Sequence, residues 1–173
     1  MKVILADFGL GAHVVDVDAI SKRCGTPGYT APEMLQKGWG AGFFGDSNAL
    51  TKIDMFSFGA MIYTAAVGRN PFAGSSPKLT LRENKRGLLP FESVEFRSLS
   101  DDLQDLLRNL CAIAPSERYS SSEASCNAWL SPDHDKSGFH SPDVQMRNKK
   151  ISWNAFEEAA EMQTVPMYPD LRD

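Results

Sequence analysis

The amino-acid sequence predicts a mainly α domain over residues 1–130, followed by a linker and tail over 131–173 with one further candidate helix. Three observations carry that expectation. Residues 51–67 form a helix-length run that is apolar on nearly every side, as in a helix wrapped by other elements. Leu103, Leu106, Leu107 and Leu110 recur at helical spacing on one face. Ser120 and Glu123 stand three apart, the pattern of a capping box in which each residue satisfies the other's free backbone donor.

Composition narrows the function classes. With 173 residues, 42% of them hydrophobic, the chain can bury one core and still carry a tail. A charged fraction of 23% and a net charge of −4 lack the basic excess of a nucleic-acid binder, so no nucleic-acid partner is expected. Cys24, Cys111 and Cys126 are an odd set without paired spacing, which favours a reduced, cytoplasmic setting. No signal-peptide order is seen at the N-terminus. The longest mostly apolar run, Met55 to Val67, has 13 residues, too few to span a bilayer, so no membrane association is expected.

In chain order, "KVIL" at 2–5 reads as a short buried strand ended by Asp7 and Gly9. Residues 9–30 show no period and are expected to be irregular; a long irregular segment within a domain is usually functional. The glycine-rich "KGWGAGFFGDSN" at 37–48 reads as a surface loop ahead of the 51–67 helix. Ser100 is placed to cap the leucine helix, with Asp101 and Asp102 favourable at its positive end. Ala124, Ala128 and Trp129 follow the capping box. "SPDHDKSGFHSPD" at 131–143 is a turn-rich linker, and residues 151–163 form the last candidate helix.

The chemistry-bearing motifs gain weight from their order. "DFG" at 7–9 precedes "CGTPGYTAPE" at 24–33, "DMFSFG" at 54–59, "NPF" at 70–72 and "APSER" at 114–118. In this register residues 2–130 resemble a eukaryotic serine/threonine protein kinase domain from the DFG motif to the end of its C-terminal lobe. The stretches "YTAAVGRNPF" and "LSDDLQDLL" look most like the calcium/calmodulin-dependent group. Departures exist: Phe56 stands where most relatives have Trp, Ala114 replaces an Asp, and "NAW" at 127–129 replaces "HPW".

The resemblance implies a C-lobe fold with a short N-terminal strand, an activation segment and a helical bundle. It implies ATP and Mg²⁺ as cofactors and a protein as substrate. Asp7 matches the Mg²⁺ ligand, a hard carboxylate oxygen suited to that ion. Ala6, Asp7 and Phe8 match the floor of the nucleotide pocket, with Phe8 packed into the core and Gly9 allowing the turn. Gly25, Thr26 and Pro27 match the loop that receives substrate, and a threonine at 26 suggests serine or threonine acceptors. Glu33 and Arg118 match a buried ion pair, and Asp54 an acceptor for the backbone of the catalytic loop. Ser21, beside Lys22 and Arg23, is the candidate phosphosite; an unmodified loop serine is the alternative.

Three parts that precede DFG in the family have no match here: the glycine-rich loop, the strand lysine with its helix glutamate, and H-R-D-x-x-x-x-N. His13, His134 and His140 are the only histidines, and none opens H-R-D. The N-terminal lobe and the catalytic Asp are therefore expected to be absent, and this chain alone to be inactive. A missing N-lobe or another partner would cover the exposed face of the 51–67 helix. The rival expectation is a non-catalytic docking or regulatory module.

Three other patterns are set aside. "GAGFFG" at 40–45 matches G-x-G-x-x-G but lacks the strand–helix setting a phosphate loop needs. The stretch from Asp133 echoes a calcium loop, but Val144 stands where the bidentate Glu is required. "RNKKISWNAF" has basic residues near Trp153, but Glu157, Glu158 and Glu161 dilute a calmodulin-target character.

Overall fold

The computed structural model describes residues 4–16, 25–36 and 47–131. Among these, five α-helices are formed: α1 (Ser47–Val67), α2 (Pro77–Arg86), α3 (Val94–Arg97), α4 (Asp101–Leu110) and α5 (Ser121–Ser125). Short 3-10 turns at Pro32–Leu35 and Ala128–Leu130 accompany them. No strand is present among the described residues.

Helix α1 is the axis of the bundle and starts four residues ahead of the expected position, within the stretch read as loop. Leu50, Phe56, Ala60, Ile62 and Tyr63 are buried along it. Against it lies α4, whose Leu103, Leu106, Leu107 and Leu110 are all buried, as their spacing predicts. Burying a leucine side chain stabilises by about 1.5–3 kcal/mol, so this one face is a major source of cohesion. Gly59 permits the close crossing. A Cβ there would lie 2.5 Å from the Cys111 sulfur and 2.9 Å from Leu110 Cβ.

Aromatic rings close the other side of α1. Phe56 stacks on Phe72 at 5.6 Å and Tyr63 on Phe96 at 6.4 Å, while Phe91 meets Phe96 edge-on at 5.1 Å. Arg108 covers the last pair, its guanidinium 4.6 Å from the Phe91 ring centre and 5.0 Å from that of Phe96.

Capping fixes where the helices begin. Ser100 accepts from the Leu103 amide at 3.4 Å, as expected. Both halves of the Ser120–Glu123 box form, with Ser120 N–H donating to Glu123 Oε2 at 2.7 Å and Glu123 N–H to Ser120 Oγ at 3.3 Å. The helix behind that box is shorter than its sequence suggests. It ends at Ser125, and Asn127 then caps the separate turn that carries Ala128 and Trp129.

Two sequence expectations are overturned. Residues 4 and 5 form no strand, and Ile4 and Leu5 are 72% and 80% exposed. Phe8 does not pack into the core but is 69% exposed. The cause is physical: a strand exists only through pairing, and no other described segment runs beside these residues to pair with them or cover Phe8. Cys24, Ser21, the "GAGFFG" stretch, the calcium-loop echo and the candidate helix at 151–163 lie outside the described residues.

Candidate functional site

Residues 25–30 form a tight loop whose inner groups are gripped from three directions. Gly25 and Gly28 take φ values of 126° and 91°, a region that glycine enters without Cβ strain. Any side chain at Gly28 would meet the Asn70 amide at 2.8 Å. Within the loop, Tyr29 N–H donates to the Thr26 carbonyl at 3.1 Å, and the Thr30 hydroxyl donates to the same oxygen at 3.2 Å.

The outside partners come from α1, the α1–α2 connection and α2. Ser57 Oγ donates to the Tyr29 carbonyl at 2.8 Å. Asn70 Nδ2 donates to the Gly28 carbonyl at 3.0 Å. Asn84 accepts from Gly28 N–H at 3.0 Å and donates to the Thr30 carbonyl at 2.7 Å. These bonds draw the inner edge of the loop down, while Thr26 stays exposed and Pro27 half-buried.

The loop leads directly into the Pro32–Leu35 turn, where Pro32 occupies the first helical position suited to its fixed φ. Glu33 in that turn meets Arg118 through two parallel bonds, Nη1 to Oε1 at 2.7 Å and Nη2 to Oε2 at 2.9 Å. The Arg118 side chain is 0% exposed and that of Glu33 5%. Arg118 further donates to the carbonyls of Lys52 (2.9 Å), Ala112 (3.0 Å) and Ile113 (3.2 Å). All five guanidinium N–H groups are thereby engaged. The Phe56 ring lies 5.1 Å from its centre. The pair expected from the motif register is formed, with the two-pronged geometry that favours Arg over Lys.

Asp54 lies about two turns into α1. Its surface is exposed, yet the protein packed around its carboxyl displaces enough water to raise its pKa above the usual carboxylate value. No hydrogen bond or ion pair satisfies it among the described residues. Around it α1 keeps an open face comprising Thr51, Asp54, Met61 and Ala65, with Met61 50% exposed. The expectation of a helix wrapped on every side is thus met only in part. At the foot of the crossing, burial pushes the Cys111 thiol up to about 12 despite the nearby Arg118 charge, whereas Cys126 is exposed.

The N-terminal site residues stand apart from this assembly. Asp7 is exposed and has φ 63°, a left-handed conformation uncommon for a residue with a side chain. The strain falls on Asp7, not on Gly9 as the sequence suggests. Among the described residues no group of three His, Cys, Asp or Glu side chains is placed to hold a metal ion. Mg²⁺ binds through one or two carboxylates plus phosphate oxygens and waters. Residues 4–16 offer two carboxylates, Asp7 and Asp16, nine positions apart, and the remaining donors of such a set would come from phosphate oxygens and water.

The structure therefore brings Gly25, Thr26, Pro27, Glu33 and Arg118 into one connected region with Asp54 nearby on α1, and leaves Ala6, Asp7 and Phe8 exposed outside it. Sequence reasoning missed Asn70, Asn84 and Ser57. The helix that carries Asn84 was signalled by Ser76 as cap, Pro77 at its start, Lys85 and Arg86 in its last turn and Gly87 beyond it. An asparagine within a polar helix gives no sign of facing inward.

The sequence matches known proteins. The model of the protein kinase domain matches residues 1–130. Calcium-dependent protein kinase 24 of Oryza sativa subsp. japonica is 34% identical over 127 residues, covering 73% of this chain and 23% of that protein. Calcium/calmodulin-dependent protein kinase type 1 of Caenorhabditis elegans is 27% identical over 172 residues, 96% of this chain and 46% of that protein. The probable serine/threonine-protein kinase fhkE of Dictyostelium discoideum is 29% identical over 145 residues, 84% of this chain and 20% of that protein. The chain thus spans a fifth to a half of the length of these relatives. No described helix is long and apolar enough to cross a membrane. With its family model matched over three quarters of its length and its ion pair and loop formed, the chain belongs to the serine/threonine protein kinase domain family.

Proposed function

We propose that residues 1–130 are the C-terminal lobe of a serine/threonine kinase catalytic unit, from the DFG motif onward. Together with an N-terminal lobe, that unit transfers the γ-phosphoryl group of MgATP to a serine or threonine hydroxyl of a protein. The buried Glu33–Arg118 pair carries this reading, since it anchors the loop 25–30 to the helical body in the way a rigid substrate platform requires.

In this assignment Thr26 and Pro27 face the acceptor segment, and Gly25 gives the loop its turn. Asp54 waits for backbone donors from a catalytic loop. Its unanswered carboxyl and the open face of α1 are consistent with a surface that another segment covers. Members of the family use ATP and Mg²⁺. Ala6, Asp7 and Phe8 would line the nucleotide side with Asp7 as the carboxylate among them, and no catalytic step is assigned to it alone. Ser21 is the proposed phosphosite of the activation segment.

The 173 residues contain no H-R-D sequence to accept the substrate proton. A missing general base lowers rates by about 10²–10⁴-fold. The purified chain is expected to show no phosphoryl transfer to a serine/threonine peptide pool in a radiolabel assay. Coexpression with a segment carrying the glycine-rich loop, the strand lysine and H-R-D-x-x-x-x-N is expected to restore it. Turnover by the chain alone would defeat the inactivity; no turnover by the complemented pair would defeat the kinase assignment.

One observation favours a second reading. The helical body, its ion pair and its clamped loop are formed by residues 25–36 and 47–131, which suits a non-catalytic docking module. A monodisperse, cooperatively unfolding monomer in sedimentation and urea titration would support that role, and aggregation would count against it.

A further inference from the structure

Asn84 sits on the inner side of α2 with 0% of its surface exposed. A buried amide needs both its donor and its acceptor end answered, because each unanswered end keeps its desolvation cost. Here one short loop answers both, Gly28 through its N–H and Thr30 through its carbonyl. The side chain is therefore satisfied only while the loop is seated.

From the opposite side, Asn70 Oδ1 accepts from Phe72 N–H at 2.8 Å, which orients the amide so that Nδ2 reaches the Gly28 carbonyl at 3.0 Å. Gly28 is thus held at its N–H by one asparagine and at its C=O by another. The absence of a side chain at 28 is what lets Asn70 approach. The exposed Thr26 and half-buried Pro27 are left as the loop's outward edge.

We infer that Asn84, assisted by Asn70, is a positioning residue that sets the height and tilt of the Thr26–Pro27 edge against a protein substrate without touching the substrate itself. This rests on the proposed assignment of residues 25–27 to substrate binding. The two bonds to Asn84 fix the loop from the side opposite its exposed edge, so losing them frees that edge before the helical body is disturbed.

The test uses the whole 173-residue chain and two readouts: exchange of the Gly28 amide hydrogen, and affinity for a fluorescein-labelled degenerate peptide pool centred on serine or threonine. In Asn84→Leu, Gly28 exchange is expected to quicken by about tenfold or more, the equivalent of one hydrogen bond. Peptide affinity is expected to fall by a similar factor, while the amides of α4 keep their protection. Asn84→Asp supplies a discriminating second variant. Its ionised carboxylate repels the Thr30 carbonyl, but its protonated form can donate to it as the amide does. Affinity should therefore recover as pH is lowered from about 8 to about 5.5, a range reachable because burial raises a carboxyl pKa.

Unchanged Gly28 exchange in Asn84→Leu would overturn the clamp. Faster exchange with unchanged peptide affinity, or no pH recovery in Asn84→Asp, would overturn the positioning role. Failure of the wild-type chain to bind any of the peptides, with Gly28 protection intact, would instead sink the substrate-loop assignment and the positioning role with it.

Discussion

The guanidinium of Arg118 and the carboxylate of Glu33 lie 85 positions apart in the sequence and meet face to face in the interior at 2.7 and 2.9 Å. Neither side chain could be there alone. A buried charge stripped of its counterpart is destabilising by about 3–5 kcal/mol. Arg118→Met and Glu33→Gln should each lower the unfolding free energy obtained from urea titration by an amount in that range. Arg118→Lys should recover little, because a single ammonium cannot replace five N–H donors in a planar fork. Equal midpoints for Arg118→Lys and wild type would contradict this.

Gly59 marks the closest approach of α1 to the end of α4. Gly59→Ala should overfill the crossing and cost about 1–3 kcal/mol in chemical denaturation. The double variant with Cys111→Ala should recover part of the loss, since the sulfur is the nearer obstacle at 2.5 Å and Leu110 Cβ, at 2.9 Å, remains. Strict additivity of the two changes would show that they do not share the space.

Burial raises the Cys111 thiol from its ordinary value of 9.0 to about 12. The unfolded chain then releases this proton at a lower pH than the folded one. Stability from this group is fully present below pH 9.0 and is lost as pH rises toward about 12. Between these values the urea midpoint of the wild type should fall more steeply than that of Cys111→Ala. In native protein the peptide containing Cys111 should resist thiol alkylation while Cys126 is labelled, a contrast readable by mass spectrometry.

Asp54 has its carboxyl pKa raised by desolvation and no partner among the described residues. Asp54→Asn should therefore leave the stability of this chain unchanged or slightly higher at neutral pH. The wild type should gain relative to the variant as pH falls toward the ordinary value of 3.8, where its carboxyl takes up a proton more readily folded than unfolded. In a complemented catalytic unit the same change should reduce turnover, because an amide is a poorer acceptor for backbone donors. A large loss of stability in the isolated chain would mean that Asp54 already has a structural partner.

Much of the body was legible because its signals are periodic or paired. The leucines of α4 sort to one face by spacing alone, and the Ser120–Glu123 box is a local rule. The Glu33–Arg118 contact could be anticipated only through motif register, since nothing local links a glutamate to an arginine so distant in sequence. Helix α2 escaped notice because its composition is polar, although both its ends were marked. Asn84 was invisible because inward orientation of a polar side chain depends on which backbone it meets. Phe8 and the neighbouring Ile4 and Leu5 read as interior on hydrophobicity, but burial requires something to lie over them.

Arg118 draws its oxygen partners from three separate stretches of chain: the turn at Glu33, the first part of α1 at Lys52, and the link at Ala112 and Ile113. Withdrawal of Glu33 strands a cation in a space that water does not reach, and withdrawal of either of the other two leaves buried N–H donors unanswered. The Glu33 turn and the helical body should accordingly melt together as one unit, with no stage in which that turn has come loose while the remainder stays whole.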